Sequence, residues 1–129
     1  MASGTLLIAE DDGFLQEVLA DFFAEADFDV LTADNGFEAI LELNAESARI
    51  DAIVTDIQLG AGPSGWDVGR RARRIIPHVP IVYISGDSLH EWPTQGVPGS
   101  VCLAKPFAPS EIIAKITALL KNDPGIGAA

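Results

Sequence analysis

The chain alternates between two hydrophobic periods, and this alternation constrains its fold more than any other feature of the sequence. Five short apolar runs have the unbroken hydrophobicity of strands that are buried on both faces, namely Leu6–Ala9, Val30–Ala33, Ile53–Thr55, Ile81–Ile84 and Val101–Leu103. The segments between these runs are long enough for helices. Strands that alternate with helices predict an α/β fold, in which helices cover both faces of a parallel sheet and the crossovers are right-handed.

Apolar stripes predict the first two helices. Apolar residues that recur at helical spacing are typical of a helix that packs one face on a core. The stripes consist of Phe14, Leu15, Val18, Leu19, Phe22 and Phe23 in the first helix and of Phe37, Ile40, Leu41 and Leu43 in the second.

The later segments carry the signals of helix ends. Ser64 and Asp67 form a capping box for a third helix, which we expect to end before Pro77. Prolines in the segment 88–99 leave room for only a short, irregular fourth helix. A fifth helix follows the last strand, with Pro109 at its first position.

Length and composition fit a single domain over residues 1–129. We expect its core to span about 5–121, with 122–129 as a flexible tail. The net charge of −11 argues against direct binding to nucleic acid. No apolar run is long enough to cross a membrane, no secretory signal is present, and a single cysteine, Cys102, excludes an internal disulfide. We therefore expect a cytoplasmic protein without a membrane partner.

The charges are unevenly distributed along the chain. Residues 1–48 contain twelve acidic residues and no lysine or arginine, whereas Arg70, Arg71, Arg73 and Arg74 account for half of the eight basic residues. A solvated helix face is the ordinary explanation of such a run. The sharper interpretation is that the arginines form part of a docking surface for an acidic partner.

Polar side chains with reactive groups follow four of the five predicted strands. They are Glu10–Asp12 after the first strand, Asp56 after the third, Ser85 after the fourth and Lys105 after the fifth. Each has an ordinary explanation when taken alone, and Asp12 is expected to cap the next helix. Functional sites of parallel sheets lie beyond the carboxyl ends of the strands. The four strand ends together therefore indicate a site.

The residue types at this edge restrict the chemistry. Clustered carboxylates repel one another, so that some must bind protons or a cation must enter. Ligation by oxygen, with no usable histidine or cysteine, favours Mg²⁺, Mn²⁺ or Ca²⁺ over zinc. A carboxylate can act as the nucleophile in phosphoryl transfer, and Lys105 and Ser85 would then contact the phosphoryl oxygens.

The chain resembles the receiver (CheY-like) domain of two-component response regulators in an ordered set of motifs, Glu10–Asp11, Asp56, Ser85–Gly86 and Lys105–Phe107. The resemblance extends from about residue 6 to residue 120. It implies a doubly wound, flavodoxin-like sheet of five strands in the order 2-1-3-4-5, with helices on both faces.

The resemblance also implies a metal site and a phospho-acceptor. Asp56 would accept the phosphoryl group. Mg²⁺, with Mn²⁺ as a substitute, would be bound directly by Asp11, by Asp56 and by the backbone carbonyl of Gln58, whereas Glu10 would act through water. The metal is the one cofactor that the resemblance implies.

Two further residues complete the implied mechanism. Lys105 would contact the phosphoryl group and Ser85 would be the switch hydroxyl. The Lys105–Pro106 peptide bond is cis in the family, although cis bonds are uncommon even before proline. Gln58 and Asp87 would flank the line of water attack and set the lifetime of the acyl phosphate. The alternative is that both are ordinary solvent-facing side chains.

In function, the resemblance implies a phospho-switch and not a turnover enzyme. Such a domain assists only its own phosphorylation and dephosphorylation. A histidine kinase or a histidine phosphotransfer protein would donate the group. A downstream protein target would bind the face formed by the fourth helix, the fifth strand and the fifth helix. We expect either a stand-alone regulator or a receiver excised from a hybrid kinase.

The chain departs from the family pattern in three places. Gly65 follows Asp56 by nine residues, one more than is usual, so that the intervening loop is longer. Cys102 occupies a position where a tyrosine or phenylalanine commonly swings inward, and a small buried hydrophobe cannot act as such a lever. The segment 88–99 is shorter and more broken than the usual fourth helix. We therefore expect coupling through the hydroxyl and loop movement alone.

Three other functions compete with the phospho-switch. A degenerate receiver would act as a constitutive protein-binding module. A Mg²⁺-dependent phosphatase or phosphotransferase with an aspartyl phosphate would typically carry a second aspartate where this chain has Gln58. A flavodoxin-like electron carrier would need a phosphate-binding loop after the first strand, where the acids at 10–12 would repel a phosphate.

Overall fold

The secondary structure follows the predicted alternation of strands and helices. The computed structural model describes residues 4–121, and the predicted tail at 122–129 lies outside the described residues. The elements are β1 (Gly4–Ala9), α1 (Gly13–Glu25), β2 (Phe28–Ala33), α2 (Gly36–Glu46), β3 (Ala52–Asp56), α3 (Gly65–Ile75), β4 (Ile81–Ser85), α4 (Trp92–Gln95), β5 (Val101–Ala104) and α5 (Pro109–Lys121). A 3₁₀ turn at Leu89–Glu91 directly precedes α4.

The five strands form one parallel sheet in the order β2-β1-β3-β4-β5, which confirms the predicted fold class and strand order. The direction in which strands are added reverses between β1 and β3, which is where open α/β sheets bind their ligands. The register aligns Ala9 of β1 with Thr55 of β3, and Asp56 of β3 with Ile84 of β4. The carboxyl ends of the strands therefore lie side by side.

The sheet has a hydrophobic core on each face. Because successive residues of a strand point to opposite faces, Leu7 packs with α2 and α3, whereas Leu6 and Ile8 pack with α1 and α5. All three side chains are 0% exposed. Full burial of one such side chain contributes about 1.5–3 kcal/mol. The two cores therefore hold the central strands firmly.

The apolar stripes of α1 and α2 are wider than the helix faces that become buried against the sheet. Leu19 and Phe23 of α1 are fully buried, and so is Leu43 of α2. The expectation that the stripes pack on the core is wrong for four exposed residues, Phe14, Phe22, Phe37 and Leu41. A helix on one flat face of a sheet buries an arc of about 100°, and the margins of a wider stripe stay in solvent.

The predicted helix ends are confirmed. In the capping box of α3, the hydroxyl of Ser64 accepts a hydrogen bond from the N–H of Asp67 at 3.2 Å, and the Asp67 carboxylate accepts one from the N–H of Ser64 at 2.9 Å. Asp12 caps α1 by accepting hydrogen bonds from the N–H groups of Phe14 and Leu15. As expected, α4 is short, with four residues. Among the described residues, no helix is both long and apolar enough to cross a bilayer.

Candidate functional site

The strand ends bring the predicted site residues together at the carboxyl edge of the sheet. Asp56 is the last residue of β3 and Ser85 is the last residue of β4, whereas Glu10 and Lys105 directly follow β1 and β5. Backbone hydrogen bonds extend the ladders past these ends. The N–H of Glu10 donates to the carbonyl of Ala33 at 3.0 Å, and the N–H of Lys105 donates to that of Ser85 at 2.7 Å. The sheet, and not a loop, therefore positions these side chains.

The three predicted acidic ligands form one cluster. Glu10, Asp11 and Asp56 each place a carboxylate oxygen within 4.8 Å of the others. Glu10 is 1% and Asp56 is 4% exposed, whereas Asp11 is exposed and opens the cluster to solvent. Burial, reinforced by the charge of Asp56, raises the pKa of Glu10 to about 8, although the N–H of Asp12 and the charge of Lys105 act in the opposite direction.

The cluster has the features of a cation site. Oε1 of Glu10 is buried and has no hydrogen-bond partner among the described residues, and an unsatisfied buried polar atom is costly. A cation between the carboxylates would satisfy this atom and offset the repulsion. The donor atoms are oxygens, which fits Mg²⁺ or Mn²⁺.

Both carboxylate oxygens of Asp56 accept hydrogen bonds. Oδ2 accepts one from Nζ of Lys105 at 2.7 Å, and Oδ1 accepts one from the backbone N–H of Gln58 at 3.0 Å. Burial by itself would lower the pKa of Lys105, but Asp56 and the neighbouring acids raise it, so that the lysine stays charged. The peptide bond between Lys105 and Pro106 is cis, as the resemblance implies. Asp56 is therefore held in one orientation, beside a cation of the protein itself.

The hydroxyl of Ser85 is tied to the beginning of the following segment. Its Oγ accepts a hydrogen bond from the backbone N–H of Ser88 at 2.5 Å, and both residues are buried. Ser88 directly precedes the 3₁₀ turn at Leu89–Glu91. The sequence predicts a role for the Ser85 hydroxyl but gives no sign of this bond, which makes the turn sensitive to the position of the hydroxyl.

Gln58 and Asp87 form a bridge across the mouth of the site. Nε2 of Gln58 donates to Oδ1 of Asp87 at 3.1 Å, and the hydroxyl of Ser88 donates to the same oxygen at 3.1 Å. The sequence predicts that Gln58 and Asp87 flank the site, because they stand two residues beyond Asp56 and Ser85. Their contact with each other follows from the pairing of β3 with β4. Both side chains are exposed, so they face solvent while this hydrogen bond joins them to each other.

The aromatic ring that reaches the α4 segment comes from β4 and not from β5. Cys102 is half-buried, and not buried as expected, and burial raises the pKa of its thiol to about 11. Its register partner Tyr83 is 0% exposed. Tyr83 packs against Trp66, and its hydroxyl accepts a hydrogen bond from the N–H of Val97 at 3.3 Å. Helix α3 leaves room for this ring at Gly69, where a Cβ would lie 2.1 Å from the tyrosine oxygen.

Residues 6–117 match the family model of the response regulator receiver domain. The chain belongs to this family. The matched region contains the acid cluster, the serine and the lysine, and it confirms the resemblance that the motifs indicate. Receiver domains are phospho-acceptor switches of two-component systems, and they bind Mg²⁺ at an acidic pocket.

Individual proteins are similar to this chain along most of its length. The crystal structure of a response regulator receiver protein from Sinorhizobium medicae is 41% identical with a TM-score of 0.88, and the match covers 92% of this chain and 94% of that one. The transcriptional regulatory protein CusR of Escherichia coli is 33% identical over 91% of this chain, and the transcription factor SKN7 of Chaetomium thermophilum is 32% identical over 92%. The chain spans only 51% of CusR and 16% of SKN7.

Proposed function

We propose that this receiver domain accepts a phosphoryl group on Asp56 and that the modification changes its shape, which controls the binding of a partner. The observation that carries the proposal is the setting of Asp56. Its carboxylate is grouped with those of Glu10 and Asp11, and it accepts a hydrogen bond from Lys105 at 2.7 Å. Groups suited to a divalent cation and to phosphoryl oxygens therefore surround one nucleophilic carboxylate.

The phosphoryl group would come from a phosphohistidine of a histidine kinase or of a histidine phosphotransfer protein. An oxygen of Asp56 attacks phosphorus, the P–O bond forms as the P–N bond breaks, and the departing imidazole takes up a proton from solvent. Lys105 exchanges its hydrogen bond to Asp56 for one to a phosphoryl oxygen.

The metal site in this proposal uses four residues of the chain. Asp11, Asp56 and the backbone carbonyl of Gln58 would bind the ion directly, and Glu10 would act through water. When bound, Mg²⁺, or Mn²⁺ in its place, offsets the charge of the phosphoryl oxygens. The orphaned Oε1 of Glu10 supports this assignment, since a bound cation or its water would give this buried oxygen a partner.

The change of shape would begin at Ser85. When the Ser85 side chain rotates so that its hydroxyl can donate to a phosphoryl oxygen, Oγ moves away from the N–H of Ser88, which loses the acceptor that it has in this structure. The 3₁₀ turn and α4 would then shift, and the face formed by α4, β5 and α5 would bind a downstream protein target. The same route serves a stand-alone receiver and one excised from a hybrid kinase, since both act by contact.

The proposed module is a switch and not a turnover enzyme, because the receiver assists only the phosphorylation of its own Asp56 and the hydrolysis of the acyl phosphate formed there. We treat residues 1–129 as one receiver domain. We place its activity in the cytoplasm, with contacts to proteins and without direct contact of this domain to nucleic acid or membrane.

The test is the intact mass of the purified chain after incubation with acetyl phosphate and Mg²⁺. We expect a single added phosphoryl group that needs Mg²⁺, is absent with EDTA and disappears with time. The matched control is Asp56→Asn, which keeps the size of the side chain and removes the nucleophile.

An unmodified mass, together with an amide spectrum that does not respond to beryllofluoride, would contradict the proposal. It would favour a degenerate receiver that binds its partner constitutively. An adduct that persists in Asp56→Asn would show that another residue is the acceptor.

A further inference from the structure

A groove between α2 and α3 combines apolar walls with clustered positive charge. Its volume is about 620 Å³. Ile40 of α2, Pro63 of the β3–α3 loop and Val97 contribute apolar lining, and α3 contributes three arginines, at positions 70, 71 and 74. Such a concentration of positive charge is unexpected on a chain whose net charge is −11.

The four arginines of α3 divide into two pairs with different roles. Arg70 donates to the carboxylate of Asp67 at 3.0 Å and to the side-chain oxygen of Gln95 at 3.1 Å. Arg73 donates to the carbonyls of Val79 and Pro98. These two arginines hold the α4 segment against α3, which accounts for their presence.

Arg71 and Arg74 make no contact of this kind. Both are exposed, and among the described residues neither takes part in a hydrogen bond or an ion pair. Asp67 does not neutralise them, since its carboxylate is bound by the N–H of Ser64 and by Arg70, which lower its pKa. Two guanidinium groups three residues apart on one helix therefore remain available to an acidic ligand.

Two exposed apolar side chains lie on α2 beside Ile40, which lines the groove. Phe37 is 61% and Leu41 is 66% exposed, and both lie on α2 within one turn of Ile40. The ring of Phe37 contacts the longer β3–α3 loop at Gly62, where a Cβ would lie 2.3 Å from the ring. Gly62 has a φ of +97°, a conformation that favours glycine. The loop that carries the extra residue therefore supports the apolar rim of the groove.

We propose that this groove, the α2–α3 groove, binds an acidic amphipathic helix of a partner protein. Leucines or other apolar side chains of the partner would pack on Phe37, Ile40 and Leu41. Its carboxylates would pair with Arg71 and Arg74. An acidic peptide complements the two unpaired guanidinium groups. The net charge of the chain opposes a nucleic acid in the same place. The groove adjoins the α4 segment at Val97, but its unpaired arginines and apolar anchors lie on α2 and α3 and not on the α4–β5–α5 face, and it exists without phosphorylation.

The experiment is a titration of the ¹⁵N-labelled chain, unphosphorylated, with a synthetic helical peptide that carries leucines on one face and glutamates on the other. We expect amide shifts centred on Ile40, Leu41 and the loop at 60–63, with an affinity that falls as salt rises. A peptide with lysines in place of the glutamates should not bind.

Matched variants locate the contact. Arg71→Glu combined with Arg74→Glu should weaken binding by about tenfold or more, because attraction becomes repulsion at two positions. Lys115→Glu combined with Lys121→Glu makes the same change of charge on the exposed side of α5 and should leave the affinity near that of the wild type. Leu41→Ser should also weaken binding, without an effect on folding, because the side chain is exposed.

Absence of shifts at millimolar peptide, shifts centred elsewhere, or equal affinity in the two charge-reversed variants would overturn the proposal. Because the titration uses the unmodified chain, these outcomes are independent of whether Asp56 accepts a phosphoryl group.

Discussion

The site consists of two halves that are stabilised in different ways. The acid half, formed by Glu10, Asp11 and Asp56, stands at the ends of β1 and β3, whose side chains are buried in both cores. The switch half, formed by Ser85 and the segment 86–100, is mostly irregular and contains only a 3₁₀ turn and a four-residue helix.

Val97 and, in part, Trp92 pack the switch half against the core that α2 and α3 cover. Individual hydrogen bonds also hold it in place, and they join Ser88 to Ser85, Val97 to Tyr83, Trp92 to Ser100 and Arg73 to Pro98. One such bond contributes about 0.5–1.5 kcal/mol, whereas each strand of the acid half buries several whole side chains. Segments held by few contacts open locally at low free energy. The contrast suits a receiver, in which a rigid half holds the chemistry and a looser half changes shape.

Glu10→Gln should have the largest effect, and it tests the acid half. Without metal, the pKa of Glu10 rises from 4.5 to about 8 on folding, so the folded chain keeps a proton that the unfolded chain releases. The free energy of unfolding should therefore fall as pH rises across this window, by up to about 1.4 kcal/mol per pH unit from this group. Glutamine does not titrate, and the variant should lack this contribution in urea denaturation with EDTA.

The same comparison with saturating Mg²⁺ provides the control. The metal favours the ionised form of Glu10, so the wild-type slope across the window should become smaller or reverse. Equal slopes for wild type and variant in EDTA would show that Glu10 is not the buried acid that the structure indicates.

Ser85→Ala should have the next largest effect, and it tests the switch half. The N–H of Ser88 is buried and would lose its acceptor, at a cost of about 1–3 kcal/mol. We expect faster hydrogen exchange of the amides at 88–91 and unchanged exchange in β1 and β3. Ser85→Thr keeps the hydroxyl and should exchange like the wild type. Uniformly faster exchange across the whole sheet would contradict the division into two halves.

Gln58→Ala removes the hydrogen bond that joins the loop after Asp56 to Asp87 of the switch half. The bond from Gln58 to Asp87 spans the approach to Asp56, and its loss should open a path for water. We expect the phosphoryl group to be lost about three to ten times faster, which corresponds to about 1 kcal/mol. Intact mass followed over time measures the lifetime. Asp87→Asn keeps an oxygen that can accept a hydrogen bond from Gln58, so its phosphoryl lifetime should stay nearer that of the wild type. An unchanged lifetime in Gln58→Ala would exclude the bridge as its determinant.

Trp92→Phe should have the smallest effect. The indole N–H of Trp92 donates to the hydroxyl of Ser100 at 2.9 Å, and phenylalanine keeps most of the apolar contact without this donor. The local free energy of opening should fall by about 1 kcal/mol. We expect this change to appear only as faster hydrogen exchange of the amides at 92–100. A large loss of global stability would mean that the switch half belongs to the main cooperative unit.

The acid half could be predicted from the sequence because it depends on where strands end. The hydrophobic pattern locates the ends of β1 and β3, and the parallel sheet then places Glu10, Asp11 and Asp56 at one edge. The strand order came from the resemblance to receivers, since alternation alone does not choose which strands are neighbours. The strand pairings of the sheet confirm that order.

The switch half could not be predicted in the same detail. The bonds from Ser88 to Ser85 and from Val97 to Tyr83 depend on the path of an irregular segment, which no hydrophobic period describes. The exposure of Phe37 and Leu41 was missed for a related reason. A stripe gives the direction of a helix face, but the width of the buried arc depends on the neighbouring elements.

We propose that Ser85 transmits the effect of a group bound at Asp56 to the switch half. The most direct measurement is the amide spectrum of the chain with Mg²⁺, before and after addition of beryllofluoride, which mimics the phosphoryl group. We expect the amides of Gln58 and Ser88 to shift together, with the segment 86–100 following, and we expect none of these changes in Asp56→Asn. Shifts at Gln58 that leave Ser88 and the segment 86–100 unchanged would contradict this proposal.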